Sequence, residues 1–378
     1  MLQLIDHLLC NYGLDERLTR IMDEVNIFIN PLANPDGTYR GGNHTVEESS
    51  RFNNKFADLN RNFPDPKGGD HPDGLEHQEE TFFFMEFAQQ IKMHMSCNFH
   101  GGVEVVNYPW DTFAERHADD EWFEMISRAY ADTVQHYSFD TYFTDLNNGI
   151  TKGYDWYEIE GGRQDYHTYF LRGRELTIEL SDQKRLDSDL IPDYWEYHKN
   201  ALVNYLDEAR FGLRGHIRDC ETKDPLFAEV VIKAYDHTNS SVFSDEITGE
   251  YFRFIKEGNY DVSFISPGYD TIVESLQVVD RSTNYFDVEL CPNDMVATVD
   301  NSFDDIKIYL DGDNILLSDI SSLGNSDFIV YSILGQKLLF GQVVDTSIDI
   351  SDLDYSGVYT LVIRNKERAL SHKFNYLK

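Results

Sequence analysis

The sequence predicts an α/β domain, a mixed sheet flanked by helices, followed by two all-β sandwich domains. Over residues 1–211, short β-branched runs alternate with stretches of helical apolar spacing, the pattern of a layered α/β fold. From residue 212 the texture changes. GLRGHIRD, AEVVIKAY, EYFRFI, NYDVSFI and TIVESLQVV are short strands divided by Gly, Asp, Asn and Pro turns, so residues 212–293 read as one small sandwich. DIKIYLD, FIVYSILGQKLLFG, TSIDISDL, GVYTLVIRN and ALSHKFNYLK repeat that texture over residues 294–378, a second sandwich.

Bulk composition agrees with several folded domains. The 378 residues leave room for two or three cores, and 41% hydrophobic with 14% aromatic residues describes a globular chain. No apolar run is long enough to span a bilayer. The net charge of −35 repels a phosphate backbone, which argues against nucleic acid as a partner and favours cationic substrates, although a solvated acidic surface accounts for most of it. The four cysteines, Cys10, Cys97, Cys220 and Cys291, form no metal-binding spacing. Cys220 and Cys291 fall near the two ends of the first sandwich, where either a bridge or two buried thiols would fit.

Taken in order, residues 1–13 (MLQLIDHLLCNYG) predict an amphipathic helix with Leu2, Ile5, Leu8 and Leu9 on one face and Gly13 as its stop. The segment has no basic leader and no small-residue cleavage site, so it is not a signal peptide; it reads as a chain beginning inside a domain. Residues 25–29 (VNIFI) predict a buried strand, which NPDG then turns. Residues 39–67 are polar and loop-like. Helical spacing returns at residues 79–95, with Phe83, Phe87 and Ile91 at i, i+4 and i+8. CNFHGG is strand-like and residues 120–137 are helical. Residues 175–180 (ELTIEL) alternate as a strand, and residues 194–210 close the domain as a helix.

The densest chemistry lies in residues 51–65, RFNNKFADLNRNFPD. Arg51 and Arg61 each present a planar fork of N–H donors that matches a carboxylate better than a lysine can, and the neighbouring amides add uncharged donors. This composition suits a loop that grips an anion; one arginine or asparagine alone would be read as exposed loop. DLNRNFPD, with NPLANPDG before it and NFHGG and TIEL after it, resembles the zinc metallocarboxypeptidases, and among them the branch of carboxypeptidases D, E and N. The matching motifs keep order and spacing across about the first 210 residues. The segment after residue 212 resembles the transthyretin-like domain of that branch. SILGQKLL, IDISDL and SGVYTLVI resemble the C-terminal sorting domain of type IX secretion.

The resemblance implies a role for each matching residue. His100 in NFHGG falls on the family's third zinc ligand, although a lone His is more often structural. Glu179 in TIEL falls on the general base and later proton donor, whereas an alternating strand over one core would turn it to solvent. Asn60 and Arg61 would bind the substrate's terminal carboxylate, and Arg51 would stabilise the forming oxyanion. Tyr157, four residues before Gly161, falls on the mobile tyrosine that closes over the carboxylate. Asp111 and Gln164 match the positions that favour a C-terminal Lys or Arg, because an acid at the base of a pocket selects a cation. A solvent-exposed Asp111 is the plain alternative, and Arg163 beside Gln164 would weaken the preference.

The family also implies a His-x-x-Glu pair as the first two zinc ligands, upstream of the helix that opens this chain. His44–Glu47 and His77–Glu80 have the spacing but follow the predicted strand at 25–29, so both read as coincidence. One His cannot complete a zinc site. The missing pair and the missing export signal have one economical explanation, a natural start further upstream; a decayed gene is the other. The expected function is that of a secreted, zinc-dependent carboxypeptidase releasing basic C-terminal residues from peptides or proteins, and inactive as given if the pair is truly absent. The expected partners are peptide C-termini and the type IX machinery. The alternatives are a non-catalytic module that binds peptide C-termini and a surface-sorted adhesion protein. Glu179 speaks against the first of these, since a pure binder needs no general base.

Overall fold

The structure is a computed structural model and describes residues 1–292, 306, 308–318, 323, 326–332, 337–353, 357–365 and 369–376. The chain divides into two compact units, Met1–Cys291 and Pro292–Lys378. The boundary expected at 293/294 lies outside the described residues.

The first unit opens with α1 (Leu2–Asn11) and α2 (Glu16–Glu24). Asp15 caps α2 by accepting from the Arg17 and Leu18 amides, which satisfies two of its open donors. In α1 the buried residues are Leu4 and Leu8, while Leu2 and Leu9 are exposed, so the buried stripe is rotated from the one expected. Residues 25–29 run extended but unpaired, which corrects the expected strand. Ile27 and Ile29 still pack on the core and Phe28 points outward, so the period-two pattern was real. What the segment lacks among the described residues is a hydrogen-bonded neighbour.

After α3 (Pro35–Thr38) and the polar loop comes α4 (Glu79–Ile91), the helix expected over 79–95, ending four residues earlier. Phe83 and Phe87, the spaced apolar pair, are 61% and 39% exposed, and the buried residues of α4 are Thr81 and Ala88. The remaining elements are β1 (Met95–His100), β2 (Val103–Tyr108), α5 (Asp120–Tyr137), α6 (Asp145–Asn148), β3 (Ile150–Lys152), α7 (Gly153–Trp156), α8 (Arg163–Phe170), β4 (Arg174–Ser181) and α9 (Ile191–Glu208). The sheet order is β1-β4-β2-β3, with β1 parallel to β4, β4 antiparallel to β2 and β2 parallel to β3. This is a mixed sheet with β4 inside it. Phe123, Ile126, Tyr130 and Val134 of α5 share one core with Val106 of β2, Leu176 and Ile178 of β4, and Ala201 and Tyr205 of α9.

The β-rich part of the first unit comprises β5 (Gly212–Asp219), β6 (Glu229–Ile232), β7 (Val242–Phe243), β8 (Glu250–Arg253), β9 (Gly258–Ile265), β10 (Ile272–Val278), β11 (Thr283–Tyr285) and β12 (Val288–Leu290). One sheet runs β10-β9-β6-β7 and another β11-β5-β12, with β8 on β5. Both contribute to a single hydrophobic cluster, which includes Ile217, Val230, Tyr251, Phe264 and Leu290. Cys220 and Cys291 are joined by a disulfide, with their Cα atoms 5.0 Å apart, which closes that part of the chain end to end.

The junction between the α/β and β-rich parts is an ion cluster removed from water. Asp119, at the N-terminus of α5, accepts from Arg174 Nε at 2.9 Å and from Arg253 NH2 at 2.9 Å. Arg253 also pairs with Asp236 at 2.5 Å, and Arg174 NH2 reaches the Ser240 carbonyl at 2.8 Å. Arg174 is the first residue of β4, so the β-rich part is tied directly to the central strand of the α/β sheet.

The second unit contains β13 (Ile308–Asp311), β14 (Asn314–Leu317), β15 (Asp327–Ser332), β16 (Lys337–Gln342), β17 (Ser347–Asp349), β18 (Gly357–Arg364) and β19 (Ala369–Tyr376). Its sheets run β13-β14-β17 and β16-β15-β18-β19 around Ile315, Val330, Ile348, Leu361 and Ile363. Residues 333–336 of SILGQKLL and residue 356 of SGVYTLVI lie outside the described residues.

Candidate active site

Two strand ends set the geometry of the site. In the parallel pairing of β1 with β4, His100 lies opposite Glu179, so two residues 79 positions apart become lateral neighbours at one end of the sheet. Glu179 does not face open water as a one-sided strand would have it: β4 has partners on both edges, and the side chain is half-buried. Burial pushes its carboxyl up to about 7, with Arg51 and then Lys184 pulling the other way. Its Oε2 is buried without a hydrogen-bond partner. A carboxyl placed near neutrality with a free oxygen is what proton transfer asks for.

His100 is held neutral, down to about 4, first by burial and then by Arg51. Asn98 Nδ2 donates to its Nε2 at 2.8 Å. Among the described residues no group of three or more His, Cys, Asp or Glu side chains is placed to hold a metal ion. His100 is therefore a single donor, with one nitrogen already engaged, and the described residues do not by themselves fit zinc. Of the two local His-x-x-Glu pairs, Glu47 and Glu80 line the same cavity as His100, and several of their atoms have other partners. His77 Nδ1 bonds the Asn62 carbonyl at 2.9 Å, Glu80 accepts from Asn53, and the Glu47 carbonyl accepts from Arg185.

A cavity of about 1040 Å3 runs past these strand ends, and Arg51, Asn60, His100 and Arg163 line it. Asp58 organises the polar loop. Its Oδ2 accepts from Arg51 Nε at 2.6 Å and its Oδ1 from the Asn60 amide at 3.1 Å, capping the short 3-10 turn Leu59–Arg61. Arg51 is thus oriented through Nε while its terminal nitrogens stay available. The Asn60 side chain is oriented as well. Its Oδ1 accepts the Arg163 backbone N–H at 3.0 Å, which leaves its Nδ2 donors unspent. Arg61, half-buried, donates to the Asn60 carbonyl at 2.6 Å.

The Gly161–Gly162 turn locks against this loop. Gly161 has φ of 74°, and a Cβ there would lie 2.3 Å from the Arg61 carbonyl oxygen, so only glycine fits. Its N–H donates to Asp65 Oδ2 at 3.0 Å and its carbonyl accepts from the Phe63 N–H at 3.1 Å. Two motifs about 100 positions apart in sequence form one rigid piece. Tyr157 stands outside it, 42% exposed, with its ring edge-on to Trp156 and its hydroxyl unbonded among the described residues.

Asp111 is 2% exposed, which overturns the solvent-exposed alternative. Asn107 Nδ2 donates to it at 2.8 Å. Its own N–H donates to Asp165, whose carboxylate also takes the Thr112 N–H at 2.7 Å. Burial raises both carboxyls of this pair above the usual carboxylate range, and for Asp111 the Asn107 bond and the Arg61 charge work against that rise. Gln164 is 1% exposed, and neither its Nε2 nor its Oε1 has a partner; Asn107 Oδ1 lacks one too. Buried amide atoms are thus left without a protein partner beside a buried carboxylate. Arg163 does not neutralise it. Its guanidinium is turned to Glu175 at 2.8 Å and the Cys97 carbonyl at 3.1 Å, and lies over the Phe84 ring.

The sequence reading passed over Asp58, Asp65 and Glu175. The first two lie inside the motif that drew attention and orient its arginine and its glycine turn. An aspartate two residues before an amide that needs capping was the available signal. Glu175 is fully buried and balances Arg163, and nothing in local sequence announces that pairing.

Comparison with known proteins identifies the family. Residues 1–201 match the family model described as zinc carboxypeptidase. The chain is 30% identical to carboxypeptidase M of Mus musculus over 75% of its own length, and 31% identical to carboxypeptidase SOL1 of Arabidopsis thaliana over 71%. It is 28% identical to carboxypeptidase D of Rattus norvegicus over 76%. It spans 66%, 54% and 22% of the respective lengths of these relatives.

Proposed function

The chain belongs to the zinc carboxypeptidase family, and we propose that it takes the C-terminus of a peptide or protein and releases the terminal residue, basic ones by preference. The observation that carries the reading is the cleft that gathers Arg51 and Asn60 of one polar loop with His100 at the end of β1. The family is zinc-dependent, and zinc supplies carbonyl polarisation and water activation when bound. The described residues offer it one donor, His100; the steps that the protein's own groups perform are these.

The terminal carboxylate is held by the open Nδ2 of Asn60 and the guanidinium of Arg61, charge-assisted bonds that a peptide amide could not replace. The exposed Tyr157 closes over it, which brings a hydroxyl to the carboxylate and removes water from the site. The side chain of the last residue is directed to Asp111 and Gln164, where the cation of a Lys or Arg donates to the carboxylate and to the open amide oxygens of Gln164 and Asn107. Glu179 accepts the proton of the attacking water and returns it to the leaving amine. Arg51, oriented by Asp58, donates to the oxyanion as it forms. Residues 294–378 serve in this reading as a sorting domain recognised by a type IX secretion apparatus, which places the protein outside the cell.

The test is the loss of a single residue from peptides ending in Arg, Lys or Leu, followed by mass spectrometry with zinc in the buffer. The reading expects removal of Arg and Lys ahead of Leu, and none by Glu179→Gln. Intact peptides throughout would overturn it.

A further inference from the structure

A second cavity, of about 340 Å3, lies apart from the residues assigned above, lined by Asp36, Tyr39, Arg40, Asn43, Asn54 and Phe56 together with Pro35 and Asn53. Its walls come from two segments joined rigidly. At Gly37 the backbone of α3 is pressed on the next segment so closely that a Cβ would lie 2.5 Å from the Ser50 carbonyl oxygen and 2.7 Å from that of Phe52. The Ser50 N–H donates to the Gly37 carbonyl at 2.8 Å, and Asn34 Nδ2 donates to the Arg51 carbonyl at 3.1 Å. On the other wall, Asn53 Oδ1 accepts the Lys55 and Ala57 amides and the Phe56 N–H donates to the Asn53 carbonyl, closing a tight turn. That turn holds Phe56 at φ of 61°, the left-handed region, with its ring 70% exposed. A bulky residue kept in an unfavourable backbone state so that its ring faces water is a cost that folding alone does not explain.

The lining has a definite chemistry. Tyr39 and Phe56 supply aromatic faces, and Arg40 covers Phe56 from one side, 5.5 Å from its centroid. Asp36, Arg40, Asn43 and Asn54 make no side-chain hydrogen bond or ion pair with any described residue, and each is a planar group with two or more polar positions to spend on a ligand. One carboxylate balances one guanidinium, so neither a polyanion nor a divalent cation is favoured, in a chain whose net charge already repels anions. Apart from Pro35 no aliphatic side chain lines the cavity, which removes lipids and apolar cofactors. The volume lies at the lower end of the usual range for small-ligand sites, about 300–1000 Å3.

The geometry points to a carbohydrate site: a sugar ring packs its C–H face on Phe56 and Tyr39 while vicinal hydroxyls bridge the two-point groups of Asp36, Asn43 and Asn54. This site is independent of peptide cleavage, and its occupation does not require the cleft to be active.

Saturation-transfer NMR on the full 378-residue chain tests it, with the methyl glycosides of glucose, galactose, mannose and N-acetylglucosamine as probes and inorganic phosphate as competitor. At least one glycoside receives saturation and phosphate does not displace it. Phe56→Gly suits the left-handed backbone and leaves the melting temperature unchanged or higher, yet weakens the glycoside tenfold or more, as does Asn54→Ala. The proposal is overturned if no glycoside receives saturation, if binding persists undiminished in both variants, or if phosphate competes for the site.

Discussion

Two buried polar clusters in the first unit use similar residues to opposite ends. At the junction of the α/β and β-rich parts, Asp119 has both carboxylate oxygens bonded to arginines, and Asp236 and the Ser240 carbonyl take up most of what those arginines have left. Arg253 Nε is the one guanidinium nitrogen of the pair left open there. Around Asp111, by contrast, both amide atoms of Gln164 and one of Asn107 are buried and unspent, and Glu179 keeps an open oxygen. A cluster whose members satisfy each other is structure. A cluster left open at a high desolvation cost has polar atoms free for another partner.

The comparison can be broken most directly at the junction. Asp119→Ala leaves two buried guanidinium groups without their shared partner, and such a loss costs about 3–5 kcal/mol. Urea unfolding of the full chain should show that drop, and a change within error would remove the junction's structural standing. Glu179→Gln is the opposite case. It lowers turnover by about 10²–10⁴-fold if the residue moves protons, yet the chain should unfold no earlier than wild type, because a neutral amide replaces a poorly solvated carboxyl. An equal loss of stability and turnover would make Glu179 another structural acid.

Asp111→Asn comes next. It should reduce the preference for Arg over Leu termini while leaving release of Leu unchanged. In the wild type the same preference should fade as pH is lowered. Burial raises the Asp111 carboxyl, so protonation and loss of the attracting charge begin at a higher pH than for an exposed aspartate. A preference that is flat with pH would place the selecting charge elsewhere. The smallest effect belongs to Lys92→Ala. Its bond to Asp245 crosses the same junction at 2.5 Å but lies at the surface, and its removal should leave the unfolding midpoint unmoved. A clear shift there would mean that exposure does not separate the two kinds of pair.

The motif residues stood out together, through the pattern they share with the zinc carboxypeptidases; taken singly, an arginine in a loop, a histidine before two glycines or a glutamate in an alternating strand announces no role. The structure brings Arg51, Asn60 and His100 to one cleft and sets Glu179 beside His100. What the sequence could not show were the outcomes decided by a distant partner. Residues 25–29 have a strand's alternation, but whether they join a sheet depends on a neighbour in space. Phe83 and Phe87 have a buried helix's spacing, but Phe83 stays largely exposed and Phe87 meets only the outward-facing Phe28 ring edge-on. The Arg253–Asp119 bond spans 134 positions, and neither residue type is a usual guess for a core. The Cys220–Cys291 bridge stayed open at the sequence level for the same reason.

The central claim is that the Asn60–Arg61 loop grips a terminal carboxylate. Isothermal titration of one peptide pair, identical except for a free or an amidated C-terminus, tests it without requiring turnover. The free acid should bind about 10–100-fold more tightly, the worth of hydrogen bonds to a charged group, and Arg61→Ala should erase the difference. Equal affinity for acid and amide, or no binding of either, would contradict it.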